Sequence, residues 1–247
     1  VIAYQTAYLK TYYPHEFFAA SMTMELSNQK KLSEFYEELK RLNIEIIRPD
    51  INKCFADFTS NGKQFFYALG AIKNVGYEAI SNIVKEREKN GEYKNLSDFV
   101  KRVDPKDINK LQLEGLVRAG AFDNLNDNRQ SIYNAIPNII LKSKNNFENK
   151  QANQFDLFDD KLSNEENILY ETEDWNIDIR LNNEFETLGF YISDHPLNQY
   201  KSIFDQYNIL SYDKFQKDEN LLSSNIACTV LKTQEKKNTK RDILCNS

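Results

Sequence analysis

Apolar side chains recur at helical spacing along most of this chain, and each run ends at a residue that cannot continue it. Tyr4, Tyr8, Leu9 and Tyr12 form the first run, which predicts a helix over residues 1–13, stopped by Pro14. Pro14 opens a second helix, because its missing N–H falls where a first turn has no partner for it. Phe17, Phe18, Met22 and Leu26 give that helix an apolar face. A third, capped by Ser27 or Asn28, carries Leu32, Phe35, Tyr36, Leu39 and Leu42. The short β-branched stretch Ile44 to Ile47 predicts a strand, and Arg48-Pro49-Asp50-Ile51-Asn52 a fixed turn.

Further on, Ile80, Ile83 and Val84 predict a helix from Tyr77 to Glu88, ended by Gly91. A short helix capped by Asn95 or Ser97 runs to Val103, and Ile108, Leu111, Leu116 and Val117 mark another that ends at Gly120. Helices are also expected over Arg129–Lys144, Glu165–Tyr170, Asn183–Leu188 and Asn198–Tyr207. Residues 144–153, polar and rich in Asn and Lys, predict a flexible linker. Strands are expected over Ile226–Leu231 and Asp242–Leu244, joined by a basic turn containing Lys236, Lys237, Lys240 and Arg241.

One stretch combines pattern with chemistry. Ala68 to Ile72 is largely apolar and leads into a tight turn, Lys73-Asn74-Val75-Gly76, from which the next helix departs. The first N–H groups of a helix lack intrahelical partners and, with the positive end of the dipole, form a site for phosphate. Lys73 adds a cation. This is the layout of a helix-hairpin-helix, which holds nucleic-acid backbone without reading bases. The usual glycine at the first turn position is Asn74 here, one of the few residues that tolerate the left-handed region. Leu116 to Asp123 is a poorer second copy, with Arg118 in the basic role and Gly120 in the turn.

Composition narrows the possibilities. The chain has 247 residues, 40% of them hydrophobic and 13% aromatic, enough for sizeable cores. Mean hydropathy is −0.66, and no stretch approaches the roughly eighteen apolar residues of a membrane span. Nothing reads as a secretory leader, and cysteines at 54, 228 and 245 lack zinc or disulfide spacing, so a reducing cytoplasm is expected. The net charge of −5 restricts any nucleic-acid contact to a local basic patch. His195, before a proline, reads as a structural residue, and Lys10 and Arg48 as solvated surface. With Val at position 1 and an end that reads as mid-strand, the chain is expected to be a piece of a longer protein.

Several motifs in order resemble one family. Tyr4-Gln5-Thr6, Leu9-Lys10, Pro14-x-Glu16-Phe17, Pro49-Asp50-Ile51-Asn52 and Gly70-Ala71-Ile72-Lys73-x-Val75-Gly76 come first. Gly120-Ala121-Phe122-Asp123, Gln154 to Phe158, Glu186-Thr187-Leu188-Gly189 and His195-Pro196-Leu197 follow. Together they resemble the C-terminal half of the bacterial replicative DNA polymerase III alpha subunit, over essentially the whole chain.

The resemblance implies a mainly α fold: the tail of a helical fingers domain (1–61) and a tandem helix-hairpin-helix module (62–143). A linker with a clamp-binding motif (144–165), a helical connector (166–220) and the first strands of a truncated OB-fold β-barrel (221–247) would follow. Duplex DNA is the implied ligand of Lys73, Asn74, Val75, Gly76, Arg118 and Gly120. Gln154, Leu157 and Phe158 match a Gln-x-x-Leu-Phe clamp-binding pattern, so a sliding clamp and other polymerase holoenzyme subunits are implied partners. The family's catalytic aspartates and their Mg2+ lie in a palm domain outside this chain, so no cofactor and no catalytic residue is expected within it. The competing reading is a non-enzymatic repair scaffold built of the same modules. A purely protein-binding helical module is a third.

Overall fold

The computed structural model describes residues 1–151, 168–217, 223–230, 233–238 and 241–246. They fall into two compact units, Val1–Ser193 and Asp194–Ser247.

The first unit begins with three helices whose ends follow from single residues. Helix α1 (Ile2–Tyr12) stops where Pro14 disfavours helical backbone at the residue before it. Helix α2 (Pro14–Met24) starts on that proline and buries Phe18, Ala19 and Met22. Asn28, one of the two expected caps, accepts a hydrogen bond from Lys31 N–H and opens α3 (Gln29–Arg41). Leu32, Tyr36 and Leu39 form its buried stripe. Asn43, at φ 55°, then turns the chain into β1 (Glu45–Ile47).

A sheet follows that periodicity alone did not reveal. β1 pairs in parallel with β3 (Gln64–Phe66), which pairs antiparallel with β2 (Thr59–Ser60). Strands of two or three residues carry no readable alternation. Tertiary burial of Phe58, Phe65 and Tyr67 supports them, with Gly62 at φ 80° closing the turn between β2 and β3. The expected boundary after Asn61 therefore falls inside this turn.

Helices α4 (Tyr77–Asn90), α5 (Leu96–Arg102) and α6 (Lys110–Arg118) come next. Asn95 and Asn109 cap the last two, each accepting from an N–H in the first turn. Helix α7 (Arg129–Gln151) runs beyond its expected end. The stretch from Lys144 expected to be a linker stays helical as far as Gln151. It contains no glycine or proline, and extending an existing helix costs far less than nucleating one. Helix α8 (Ile177–Leu188) begins earlier than expected and ends at Gly189, whose φ of 86° is the usual left-handed stop. Of the helix expected over Glu165–Tyr170, the described part, Ile168–Tyr170, is not helical.

One core runs through the whole unit, from Phe18 and Leu32 through Ile80 and Leu116 to Leu188 and Phe190. Tyr36 of α3 stacks on Phe190 at 4.3 Å. Burial pushes the Tyr36 phenol up to about 12, with the nearby Glu37 and Glu184 charges adding to the effect.

Pro49-Asp50-Ile51-Asn52 ties these parts together. Ile51 N–H donates to Ala121 O at 2.8 Å. The Asn52 amide grips the Tyr93 backbone at both ends, at 2.8 and 2.9 Å. Asp50, buried, accepts from Asn52 N–H and from the Asn124 side chain.

In the second unit, His195 caps a 3-10 turn (Pro196–Tyr200) by accepting from Leu197 N–H. Helices α9 (Lys201–Gln206) and α10 (Tyr212–Lys217) follow. The expected strand over Ile226–Leu231 is not formed: residues 226–230 have no regular structure. The hairpin instead pairs β4 (Thr233–Asn238) with β5 (Arg241–Asn246), so Lys236 and Lys237 lie within a strand and not in the turn. β-branched alternation makes a strand only where a partner is in reach, and the short connection between Asn238 and Arg241 supplies one.

Candidate nucleic-acid interface

The first hairpin is built from the apolar side outward. Leu69–Ala71 forms a single 3-10 turn. Leu69, Ala71, Ile72 and Val75 are buried, which fixes the inner face of the turn. Val75 N–H closes the turn on Ile72 O at 3.1 Å, and Asn74 takes the positive φ, 66°. Asparagine thus fills the position where glycine was expected. Gly76 has an ordinary φ of −76° and serves as the N-terminal boundary of α4. No side chain caps that helix. Lys73, Asn74, Gly76 and Tyr77 are exposed around its uncapped amides.

Acidic groups stand close by as well. Glu78 is in the first turn of α4, and Tyr77 donates to Asp57 at 2.8 Å. That hydrogen bond raises the Tyr77 phenol above its ordinary range.

Walls from elsewhere in the chain hold the hairpin. Gly70 N–H donates to Ala56 O at 3.1 Å, and a Cβ on Gly70 would come within 2.7 Å of that same carbonyl. Only glycine fits so close an approach. Lys73 N–H donates to Thr187 O at 3.1 Å, and the Gln29 side chain donates to the same carbonyl at 3.3 Å. Thr187 lies in the last turn of α8, so the Glu186-Thr187-Leu188-Gly189 motif is a brace for the hairpin. Periodicity marked the helix but carried no signal for this contact.

The second hairpin differs in its wiring. Gly120 has φ 79° and is buried, and its N–H donates to Val117 O at 3.0 Å. A Cβ there would overlap the Arg129 guanidinium. Arg129, 3% exposed, donates to both Asp123 oxygens at 2.8 and 2.6 Å and to Glu184 Oε1 at 3.1 Å. Burial alone would pull this guanidinium down, and the two carboxylates outweigh that and hold it above its ordinary range. Arg118 is one-third exposed; it pairs with Glu186 at 3.4 Å and donates to Tyr133 OH at 3.1 Å. Its guanidinium also lies 5.4 Å from the Tyr133 ring. The last turn of α8 therefore holds both basic residues, Lys73 through Thr187 O and Arg118 through Glu186.

Arg87, on the buried face of α4, is a structural charge that sequence reasoning passed over. Its Nη1 donates to Ile51 O at 2.8 Å and Cys54 O at 2.6 Å, and its guanidinium lies 5.0 Å from the Phe55 ring. Lys10 pairs with Glu38, and Arg48 is exposed. Among the described residues no group of His, Cys, Asp or Glu is arranged to hold a metal ion, and no helix is long and apolar enough to cross a membrane. Gln154, Leu157 and Phe158 lie outside the described residues.

Comparison with known proteins bears on this geometry directly. Residues 43–132 match the helix-hairpin-helix motif family, a range that includes both hairpins. The DNA polymerase III subunit alpha of Borreliella burgdorferi is 38% identical over 245 residues, which is 96% of this chain and 21% of the relative. That of Caulobacter vibrioides is 41% identical over 196 residues, 79% of this chain and 17% of the relative. That of Campylobacter jejuni is 35% identical over 253 residues, 98% and 21% respectively. The chain is similar to a segment of DNA polymerase III subunit alpha. It spans about a fifth of the length of these curated relatives. The resemblance read from the motifs and the helix-hairpin-helix read from the Lys73 turn agree with these matches.

Proposed function

We propose that this chain is the backbone-gripping and clamp-attaching part of a DNA-directed DNA polymerase of the DNA polymerase III alpha type, acting in cytoplasmic chromosome replication. The observation that carries the reading is the turn from Lys73 to Tyr77. An uncapped helix N-terminus, a cation and exposed backbone amides meet there, within a matched helix-hairpin-helix. Such a surface suits the non-bridging oxygens of a duplex phosphate and is indifferent to base identity. Asn74 and Gly76 present backbone, Val75 anchors the turn, and Lys73 supplies charge. Arg118 belongs to the second contact, its guanidinium shared with Glu186, whereas Gly120, buried beneath Arg129 with its N–H spent on Val117 O, shapes that turn and offers no surface to DNA. No catalytic step falls to this chain; in the proposed enzyme, nucleotidyl transfer and its Mg2+ belong to the palm. The β4–β5 hairpin is read as the opening of an OB-fold.

The test is the salt dependence of duplex binding. Each neutralised phosphate releases counterions, so Lys73→Ala should lower affinity equally for unrelated sequences and make the log–log salt slope shallower by about 0.9. Equal slopes for the two proteins would remove Lys73 from the interface.

Clamp attachment is assigned to Gln154, Leu157 and Phe158, on the strength of the Gln-x-x-Leu-Phe pattern within a polar stretch. Two buried apolar side chains would contribute about 1.5–3 kcal/mol each, which makes an exchangeable contact. A peptide spanning residues 145–165 should bind a bacterial sliding clamp in calorimetry, and the Leu157→Ala/Phe158→Ala peptide should not. Equal binding by both would sink the assignment.

A further inference from the structure

What sets the direction of the amides in the first hairpin lies outside it. Gly115, in the middle of α6, is buried against the turn. A Cβ built on it would stand 2.7 Å from Lys73 O, 3.2 Å from Val75 Cγ2 and 3.6 Å from Ile72 Cγ2. Its backbone is not among the positive-φ glycines, so helix geometry does not call for glycine here. Alanine is intrinsically the better helix former. The small residue is required instead by the closeness of the Lys73 carbonyl, which rests on it.

That contact has a consequence for the outer surface. The Lys73 carbonyl and the Asn74 N–H belong to one planar trans peptide, so they point in opposite directions. With the carbonyl seated on Gly115, the Asn74 N–H is turned to the exposed side of the hairpin. Among the described residues no backbone or side-chain acceptor takes that N–H. On its other side, Lys73 is held through its own N–H by Thr187 O at 3.1 Å.

We propose that Gly115 is a positioning residue: by admitting the Lys73 carbonyl it aims the Asn74 N–H outward, at a phosphate oxygen. The inference rests on the reading of this hairpin as a backbone grip. It makes the first helix of the second hairpin part of the first hairpin's binding geometry.

The experiment compares the 247-residue chain with its Gly115→Ala variant by thermal unfolding, by the exchange rate and shift of the Asn74 amide in NMR, and by duplex binding across salt. The variant is expected to fold with a displaced Asn74 amide. It should bind duplex about tenfold more weakly, the weight of one hydrogen bond to a charged group. An unmoved Asn74 amide with wild-type affinity would overturn the proposal. Absence of duplex binding by the wild-type chain would instead defeat the grip reading; the Asn74 amide, followed without DNA, tells that failure apart from a failure of Gly115 to set the turn. Should the variant not fold, the wild-type chain is titrated with duplex. A shift of the Asn74 amide then supports the proposal, and a stationary one overturns it.

Discussion

Replacing Arg129 by leucine is expected to lower the unfolding free energy of the first unit by about 3–5 kcal/mol, the usual result of stranding one partner of a buried ion pair. Arg129 is 4% exposed at its side chain and Glu184 1%, so neither charge can recover water without local unfolding. With the guanidinium gone, Glu184 keeps only the N–H and hydroxyl of Ser193, at 3.1 and 2.8 Å. Asp123 loses a two-pronged partner, and Gly120 loses the group packed over it. Urea unfolding followed by circular dichroism would measure the loss. Arg129→Leu/Glu184→Gln should recover part of it, since the second change removes the unpaired charge. A loss below about 1 kcal/mol for Arg129→Leu, the range of exposed pairs, would mean that the triad is not buried as described.

The second large effect is expected at Arg87. Arg87→Met keeps the unbranched stem on the α4 core face and removes the donors for Ile51 O and Cys54 O. An unsatisfied buried acceptor costs about 1–3 kcal/mol, so the two together should cost about 2–6 kcal/mol. Arg87 is buried, so water cannot replace the lost donors, and that burial pushes its guanidinium below the ordinary range. The loss should be concentrated in the loop that Arg87 closes. Hydrogen exchange should quicken at Ile51 and Tyr93, the amides wired to Ala121 O and Asn52 Oδ1, before it quickens in α3. Uniform acceleration throughout the unit would show that Arg87 contributes only bulk packing.

Both residues show why part of the site was unreadable in the chain. Arg87 sits on the same stripe as Ile80, Ile83 and Val84, where a charged residue looks like the polar edge of an amphipathic helix. Its partners, two backbone carbonyls from before the hairpin, carry no side-chain signature. Arg129 reads as an ordinary residue near a helix start, and its partner Glu184 is far away in sequence. The exposed turn from Lys73 to Gly76 was legible as a turn because a helix N-terminus, a turn and a cation are neighbours along the chain. Arg118 was legible as a basic residue after an apolar run, but its ion pair with Glu186 was not. The polar run after Lys144 misled in the other direction, since composition reports solubility more directly than it reports a helix already under way.

What the sequence determined by itself was local. Pro14, Gly91, Gly120 and Gly189 place helix ends, and Ser27/Asn28 and Asn95/Ser97 bracket two helix starts, because caps, prolines and left-handed stops act within a few residues. Apolar spacing named the buried faces of α2, α3 and α4 but not of α1, whose Tyr4, Tyr8, Leu9 and Tyr12 are exposed, and motif order named the kinship. Tertiary structure alone decided the three-stranded sheet, whose parallel β1–β3 pairing no local pattern encodes. It decided the single core that runs across the expected boundary at Asn61. It also decided the bracing of the first hairpin by Gly115 and Thr187, and the burial of Arg129 over Gly120. These contacts join residues far apart in the chain, and their energy depends on the water they exclude together.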